Sequence, residues 1–227
     1  APILFFSLEQ PDWEIAERKL ARDTGGRWIR RMAMDGCDGN DLKKLCQAQG
    51  QLGDGFRIAT GNLGVSDIVS TARAEIREHG VGAVFIDQFS HIRRPSGQSQ
   101  LDAAYAISRA LKKDLALMLD VPVYVLAQLN READRGRPTL ATLFGCDGLS
   151  QDADIIVSPY REDRSRPEGD LLCLKHRSGE VWEDIPFNFI GAEQRFKARE
   201  RADVESDGGY SWDCLLYTSP SPRDVSL

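Results

Sequence analysis

The sequence predicts an α/β domain whose mostly parallel sheet is flanked by helices and extended at one edge by antiparallel strands. Apolar strand-like runs alternate with helical patterns as far as Gln128, which is the βαβ order of a parallel sheet. The run "AVFID", residues 83–87, is short and apolar enough to be buried on both faces, as strands of such sheets are. Beyond residue 153 the strand-like runs have little helix between them, which indicates antiparallel pairing.

The elements before this extension can be placed one by one. "PILFFSLE" and "FRIAT" are predicted strands, and a helix follows each of them. We expect the second helix to begin at the N-cap Ser66 and to stop at Gly80, because Ser favours helix starts and Gly favours helix ends. A long helix, "LDAAYAISRALKKDLALML", leads to "VPVYVLAQ", a predicted buried strand. The core-facing stripe of this helix is predicted to be Leu111, Leu115, Met118 and Leu119.

Composition limits what the protein can do. The 227 residues, 41% of them apolar, suit one globular domain or one domain plus a tail. A net charge of −6 argues against a general affinity for nucleic acid or acidic membranes, since nonspecific DNA binding is largely phosphate neutralisation by Lys and Arg. Five scattered cysteines without C-x-x-C spacing indicate neither zinc nor disulfides and favour a cytoplasmic location. No apolar run approaches the ~18 residues of a membrane span.

Polar side chains end three of the predicted parallel strands. They are Glu9 in "FFSLEQ", Asp87 in "VFIDQF" and Gln128 in "VLAQLNR". Because ligands of open α/β sheets bind beyond the carboxyl ends of the strands, we expect the three side chains to converge on one crevice. One acid there can polarise a water molecule, a second can hold Mg²⁺, and an amide can sense a γ-phosphate by hydrogen bonding. Taken singly, each residue also fits an ordinary role: a strand-end acid, a helix-start charge, or a loop without a ligand.

A basic pair follows in the antiparallel part. In "LKHRSGE", Lys175 and Arg177 are two residues apart and project to the same face of a strand, while Ser178 and Gly179 supply a turn. Cations on a rigid hairpin suit a phosphate bound to a neighbouring subunit. They also fit the solvated face of an edge strand that limits aggregation.

The order of these pieces resembles the C-terminal RecA-like ATPase domain of DnaB-type replicative helicases. The matching stretches are "PILFFSLE", "AVFID", "AISRALKKDLALMLDVPV", "LAQLNRE", "RPTLATLFGCDGLSQDADIIVSPYRED" and "LKHRSGE", which together span about residues 2–195. The set is specific to this family, although each stretch alone is weak. The resemblance implies a RecA-like P-loop NTPase core.

The resemblance also implies a role for each residue. Glu9 matches the water-activating glutamate, and Gln128 matches the sensor glutamine. Asp87 matches the Walker B aspartate, which holds Mg²⁺ directly or through water. Arg177, with Lys175, matches the arginine finger that reaches the ATP of the next subunit. In "SPYRED", Arg161 is expected to bind the nucleotide.

For the whole protein, the resemblance implies a homohexameric ring that hydrolyses ATP with Mg²⁺, translocates on single-stranded DNA and unwinds duplex. A primase or a helicase loader is an expected partner, and the cytoplasm of a bacterial or phage-infected cell is the expected location. Two alternatives stay open at this point. One is a RecA- or RadA-like recombination or repair ATPase. The other is a RecA-like regulatory module without ATPase activity.

The chain departs from the family pattern in three respects. The sequence contains no G-x-x-x-x-G-K-[ST] phosphate loop, and we expect that loop upstream of Ala1. Without it, we expect this fragment alone to expose two strand edges and to be inactive. Gln88 stands where the family usually has an aromatic residue. The residues from Phe144 to Asp147 replace an Arg-Glu-Ser-Gly loop that touches DNA phosphates, which predicts weaker or rearranged DNA contact.

The chain divides into two predicted parts. Residues 1–199 are expected to form a partial RecA-like helicase ATPase domain. Residues 200–227 are polar and rich in Ser and Pro near their end, which is typical of a disordered tail. Within that tail, residues 214–224 resemble a translated sequencing adapter, which would exclude them from the fold.

Overall fold

The computed structural model describes residues 1–23, 36, 39–40, 43, 47, 55–130, 136–143 and 147–199. The predicted tail, residues 200–227, lies outside the described residues, as do residues 144–146. The strands are β1 Ile3–Ser7, β2 Phe56–Thr60, β3 Ala83–Asp87, β4 Val123–Leu126, β5 Ile155–Tyr160, β6 Glu168–His176, β7 Ile185–Ile190 and β8 Arg195–Ala198. The α-helices are α1 Asp12–Asp23, α2 Val65–His79, α3 Gln100–Ala110 and α4 Asp147–Asp152.

The first four strands form a parallel sheet in the order β2-β1-β3-β4. Val, Ile and Phe dominate these strands, and such side chains favour a pleated, buried surface. The register is continuous across the sheet: Phe5 lies opposite Ile58 on one side and Phe85 on the other, and Phe85 lies opposite Tyr124. The predicted parallel sheet is therefore confirmed, and its strands end together at one edge.

The core lies on one face of this sheet. Leu4, Phe6, Val84 and Ile86 are at most 1% exposed and pack in one cluster with side chains of α2 and of the long helix. Because side chains of a strand alternate between faces, every second residue of β1 and β3 enters this core.

The long helix differs from its prediction. It is α-helical over α3 and π-helical over Leu111–Leu117. Leu111 and Leu115 are buried in the core as predicted, and Leu119 packs against it, but Met118 is 69% exposed. A π-helical turn has more residues than an α-turn and so changes the face that later residues occupy. The prediction that Met118 belongs to the core is therefore wrong.

The other face of the sheet carries a row of aromatic rings. Phe5 lies 5.8 Å from Phe56 and 6.4 Å from Phe85, and Phe85 stacks on Tyr124 at 4.4 Å between ring centroids. Tyr124 is 51% exposed and Leu126 is 44% exposed. β4, predicted to be buried, is instead the last strand of the described sheet, and its residues alternate between partly buried and exposed.

The last four strands form a second, antiparallel sheet in the order β5-β6-β7-β8, which confirms the predicted antiparallel part. Within the described residues no ladder joins it to the parallel sheet. The register between β5 and β6 shifts at Ile156 and Val157, which pair with Lys175 and Cys173. Such a bulge bends a strand and redirects its side chains.

One helix cap was predicted correctly and one was not. Gly80 ends α2 in the left-handed conformation, at φ 65°, which glycine adopts without steric cost. Ser66 is not the N-cap, because α2 begins at Val65 after Gly64. The backbone N–H of Gly64 donates to the Asp67 carboxylate at 2.9 Å, so an acid three residues on satisfies this helix start. Among the helices described, none is long and apolar enough to cross a membrane.

Candidate active site at the carboxyl edge of the parallel sheet

The carboxyl ends of β1 and β3 lie side by side. Ser7 and Asp87 are partners in the register, and the Leu8 N–H donates to the Asp87 carbonyl at 2.7 Å. This bond extends the ladder one residue past the strand. The residues that follow, Glu9 and Gln88, therefore leave the sheet next to each other.

A hydrogen bond joins these two residues. The Gln88 Nε2 donates to Glu9 Oε2 at 2.8 Å. Gln88 is only 3% exposed, whereas Glu9 is exposed. A buried amide thus holds one oxygen of an exposed carboxylate. The peptide bond between Asp87 and Gln88 is cis.

Asp87 has an electrostatically unfavourable position for a carboxylate. Burial raises its pKa, and the nearby Glu9 charge raises it further, while Arg18 and His91 act in the opposite direction. Burial disfavours the charged form of an acid, and a like charge nearby does the same. A bound cation would therefore stabilise the charged form of Asp87.

Gln128 lies along the same edge. Leu126, the last residue of β4, is the register partner of Asp87, and Gln128 follows two residues later with an exposed side chain. The parallel strands bring Glu9, Asp87 and Gln128 to one edge, as the sequence predicts. Their roles in catalysis stay predictions.

Lys175 and Arg177 are brought together elsewhere, at the C-terminal end of α4. The Lys175 ammonium donates to the carbonyls of Ser150 at 2.8 Å and Gln151 at 3.1 Å, and the Arg177 guanidinium also donates to the Gln151 carbonyl. Burial lowers the pKa of Lys175, and the neighbouring Arg177 charge lowers it further. Both cations contact the end of α4, but only Lys175 lies on the strand: β6 ends at His176, so Arg177 is in the turn and not on the strand as predicted. The ring of His176 contacts the ring of Trp182.

Arg161 lies just after β5. Its guanidinium carbon is 5.2 Å from the centre of the Phe189 ring, and its Nη1 donates to the Arg166 carbonyl at 3.0 Å. Arg161 lines a cavity of about 710 Å³ together with Leu129 and Asn130, which directly follow Gln128. The same cavity is bordered by the aromatic side chains of Tyr160, Phe187, Phe189 and Phe196.

Sequence reasoning missed the part played by Gln88, which it treated only as a departure from a family pattern. The available signal was its position directly after Asp87 at the end of a buried strand. Its partner Glu9 is 79 residues away in the chain, so the bond follows from strand order and not from local sequence. Three residues of the altered loop, Phe144 to Cys146, lie outside the described residues.

A parallel sheet with acids at its carboxyl edge, helices over its core face and a second, antiparallel sheet together define a RecA-like ATPase core. The family model for the DnaB-like helicase C terminal domain matches residues 1–198 of this chain. The chain therefore belongs to the DnaB-like helicase C-terminal domain family. The resemblance and the fold class predicted from the sequence are both confirmed.

Curated relatives agree with this assignment. The replicative DNA helicase DnaB of Haemophilus influenzae is 32% identical over 209 residues, which cover 86% of this chain and 44% of that protein. The DnaB helicase of Pasteurella multocida is 30% identical over 222 residues, covering 91% and 47%. The chain thus spans less than half the length of these relatives. Because both are replicative helicases, the recombination-ATPase and regulatory alternatives are not favoured.

Solved structures show the same fold. One of them, described as an ATPase domain, superposes with a TM-score of 0.79 at 28% identity, over 88% of this chain and 75% of that one. A structure described as a DnaB-like replicative helicase and its interactions with primase superposes with a TM-score of 0.77 at 28% identity, over 86% and 50%.

Proposed function

We propose that this domain is the motor core of a ring-forming replicative helicase, which couples ATP hydrolysis to translocation on single-stranded DNA and to duplex unwinding. The observation that carries the proposal is the acid pair at the sheet edge, where a half-buried Asp87 lies beside a Glu9 held by Gln88. Membership of the DnaB-like family supports it. Ligands of open α/β sheets bind at this edge.

Asp87 fits a magnesium ligand. Carboxylate oxygen is the donor that Mg²⁺ prefers, and Mg²⁺ is usually held by one or two protein carboxylates with water and substrate phosphates completing its shell. The pKa of Asp87 is raised first by burial and then by Glu9, so a bound cation would stabilise its carboxylate. When bound with ATP, the ion supplies neutralisation of phosphate charge.

Glu9 is proposed to orient and deprotonate the attacking water. Gln88 donates to Oε2, so Oε1 is the oxygen proposed to accept a proton from the water. A general base must be held within hydrogen-bond reach of the proton that it accepts, and a buried amide is a rigid anchor for that purpose. Gln128, exposed on the same edge, is proposed to donate a hydrogen bond to the γ-phosphate.

Arg177, assisted by Lys175, is proposed to reach the ATP of a neighbouring subunit in a hexameric ring. Its side chain is 45% exposed just past the end of β6, so part of it is accessible from solvent. An arginine finger supplied from another subunit stabilises the charge of the transition state and contributes about 10³ to 10⁵ in rate in related enzymes.

Arg161 is proposed to bind the nucleotide base. The cavity beside it runs from the residues after Gln128 to the Phe189 ring, and it combines a guanidinium with aromatic faces. A base can stack on either kind of surface.

Two further features of the proposal come from relatives. A solved relative was described with its interactions with primase, and we propose a primase or a helicase loader as a partner here. The 227 residues contain no phosphate loop, and so we propose that this chain alone neither binds ATP tightly nor turns it over. Calorimetric titration of the 227-residue chain with ATP and Mg²⁺ tests this, and micromolar affinity would contradict it.

The function itself is tested with the intact protein that carries this domain. We expect ATP hydrolysis that requires Mg²⁺ and that single-stranded DNA stimulates, together with unwinding of a forked duplex. Asp87→Asn should lower turnover at least ~100-fold, as expected for the loss of a metal ligand at a phosphoryl-transfer site. Turnover that is absent from the unmutated protein, or unaffected by Asp87→Asn, would overturn the proposal.

A further inference from the structure

The basic pair Lys175 and Arg177 is anchored on the last turn of α4. Both side chains donate to the Gln151 carbonyl, and Lys175 donates also to Ser150. Carbonyls in the last turn of a helix lack intrahelical partners and carry partial negative charge. They are therefore suitable acceptors for two neighbouring cations, which would otherwise repel each other.

Asp154, just beyond α4, contacts Arg177 through both its backbone and its side chain. The Arg177 N–H donates to the Asp154 carbonyl at 2.8 Å, and the Arg177 Nη1 lies 3.3 Å from Asp154 Oδ1. The second carboxylate oxygen, Oδ2, pairs with Lys112 from the long helix. Asp154 thus contacts both the backbone and the guanidinium of Arg177. Lys112, on another element, holds the Asp154 carboxylate in turn.

The platform behind these contacts is closely packed. A Cβ at Gly148 would lie 3.1 Å from the Ala104 carbonyl oxygen and from Ser108 Cβ, so α4 lies directly against α3. Ser108 is 2% exposed, and its hydroxyl donates to Asp152 Oδ2 at 2.8 Å. The carbonyls and the acid that hold Arg177 are therefore tied to the helix layer that covers the parallel sheet.

Stability alone does not account for this arrangement. Asp154 is 54% exposed and Arg177 is 45% exposed, and exposed ion pairs contribute little to folding because water screens them and ordering the side chains costs entropy. The contacts do fix the direction of a long side chain. They use Nη1 and Nη2 once each and leave the remaining guanidinium N–H groups for a phosphate.

We propose that Asp154 is a positioning residue for Arg177, which holds the guanidinium in the orientation that meets a phosphate of the neighbouring subunit, with Lys112 holding Asp154. The inference rests on the proposed function, since it assigns the support of the proposed finger. Preorganised charge acts on the transition state without a cost of reorganisation, so loss of Asp154 affects turnover and not nucleotide binding.

The test compares Asp154→Asn, Asp154→Glu and Glu75→Gln in the intact protein. Asp154→Asn is expected to lower the kcat of DNA-stimulated ATP hydrolysis ~10-fold, a small part of the ~10³ to 10⁵ that a finger contributes, and to leave the KM for ATP within about twofold. Asp154→Glu keeps the charge and should restore most of the rate. Glu75→Gln removes the ion pair between Glu75 and Arg57, remote from the hairpin, and should keep normal turnover.

Three results would overturn the positioning role: an unchanged kcat in Asp154→Asn, an equal loss of kcat and of ATP affinity, or no recovery with Asp154→Glu. If Asp154→Asn folds poorly, Lys112→Met provides the second variant. It leaves Asp154 in the protein but removes the lysine that holds its carboxylate, and the same selective loss of kcat is expected. Absence of turnover in the unmutated protein would instead overturn the proposed function and, with it, the positioning role.

Discussion

The side-chain amide of Gln88 donates a 2.8 Å hydrogen bond to the carboxylate of Glu9 across two adjacent parallel strands. A backbone hydrogen bond from the Leu8 N–H to the Asp87 carbonyl joins the same two chain segments. Together the two bonds tie the Glu9 carboxylate and the backbone of Asp87 to the ends of β1 and β3. The arrangement keeps Glu9 close enough to Asp87 to raise its pKa.

Replacing Gln88 by Met should impair catalysis more than stability. The two side chains have similar shape, and loss of a hydrogen bond to an exposed carboxylate should cost about 0.5–1.5 kcal/mol. Glu9 would lose its anchor, so kcat should fall ~10-fold while the KM for ATP stays within about twofold. Steady-state kinetics of the intact protein measure this, with Gln100→Met at the start of α3 as a control. Equal kcat in the two variants would contradict the role given to Gln88.

Asp87→Asn should stabilise the domain near neutral pH. The folded state raises the pKa of Asp87 above its ordinary value, first through burial and then through Glu9, so the folded protein binds this proton more tightly than the unfolded chain does. By linkage, the penalty for charging Asp87 is fully present above the folded pKa and disappears as the pH falls below the ordinary value. The variant should therefore unfold at a higher temperature than the parent at about pH 7, and the gap should close towards about pH 4.

Asp163 provides the control of opposite sign. Hydrogen bonds from Ser165 lower the pKa of Asp163, so its charge contributes stability above the ordinary pKa and loses it as the pH falls through the folded pKa. Asp163→Asn should thus lower the unfolding temperature near neutral pH, with the difference shrinking in acid. Calorimetric scans of both variants across pH check the pair. A destabilised Asp87→Asn at neutral pH would contradict the sign of the Asp87 shift.

The sequence was sufficient for the strand ends but not for the contacts between distant elements. β1 and β3 could be predicted because apolar runs ending in one acid are local patterns, and parallel order follows from the βαβ rhythm. The Gln88–Glu9 bond and the pairing of Lys112 with Asp154 join residues 79 and 42 positions apart, and no periodicity encodes them. The exposure of Met118 was missed because a π-helical turn has no residue signature that distinguishes it from an α-turn.

Arg161→Ala should weaken nucleotide binding and leave the chemical step largely intact. If the guanidinium lying 5.2 Å from the Phe189 ring centre supports the base, its loss should raise the KM for ATP ~5- to 10-fold, with kcat at saturation within about threefold. Gly169→Ala should act in the same direction, because a Cβ there would lie 2.6 Å from Arg161 Cγ and from the Tyr160 carbonyl oxygen. That variant should also lose about 1–3 kcal/mol of stability through overpacking.

Gly191→Ala is the matched control for the glycine variant, since the nearest described atom to its Cβ would be a Phe189 ring atom, at an ordinary 3.8 Å. Binding of a fluorescent ATP analogue to the intact proteins gives the affinities directly. If Arg161→Ala binds the ATP analogue with normal affinity, the nucleotide base does not bind in this cavity.

The last prediction concerns which subunit Arg177 serves. Arg177→Ala and Asp87→Asn should each reduce ATP turnover at least ~100-fold when every subunit carries the change. If the finger acts on the neighbouring subunit, an interface between an Arg177→Ala active site and an Asp87→Asn neighbour combines an intact metal ligand with an intact finger. In a ring mixed one to one, head-to-tail contacts should create this combination at about a quarter of the interfaces.

Mixing the two inactive proteins under conditions that allow subunits to exchange should therefore restore measurable turnover, whereas each protein alone stays inactive. A finger acting within its own subunit predicts no recovery, because every subunit then lacks one of its two groups. The contacts of Arg177 with Gln151 and Asp154 hold the arginine against α4 of its own subunit. That position is at the end of a hairpin and not at the sheet edge that carries Asp87. A recovered rate in the mixture would assign Arg177 to the active site of the next subunit, and no recovery would exclude that assignment.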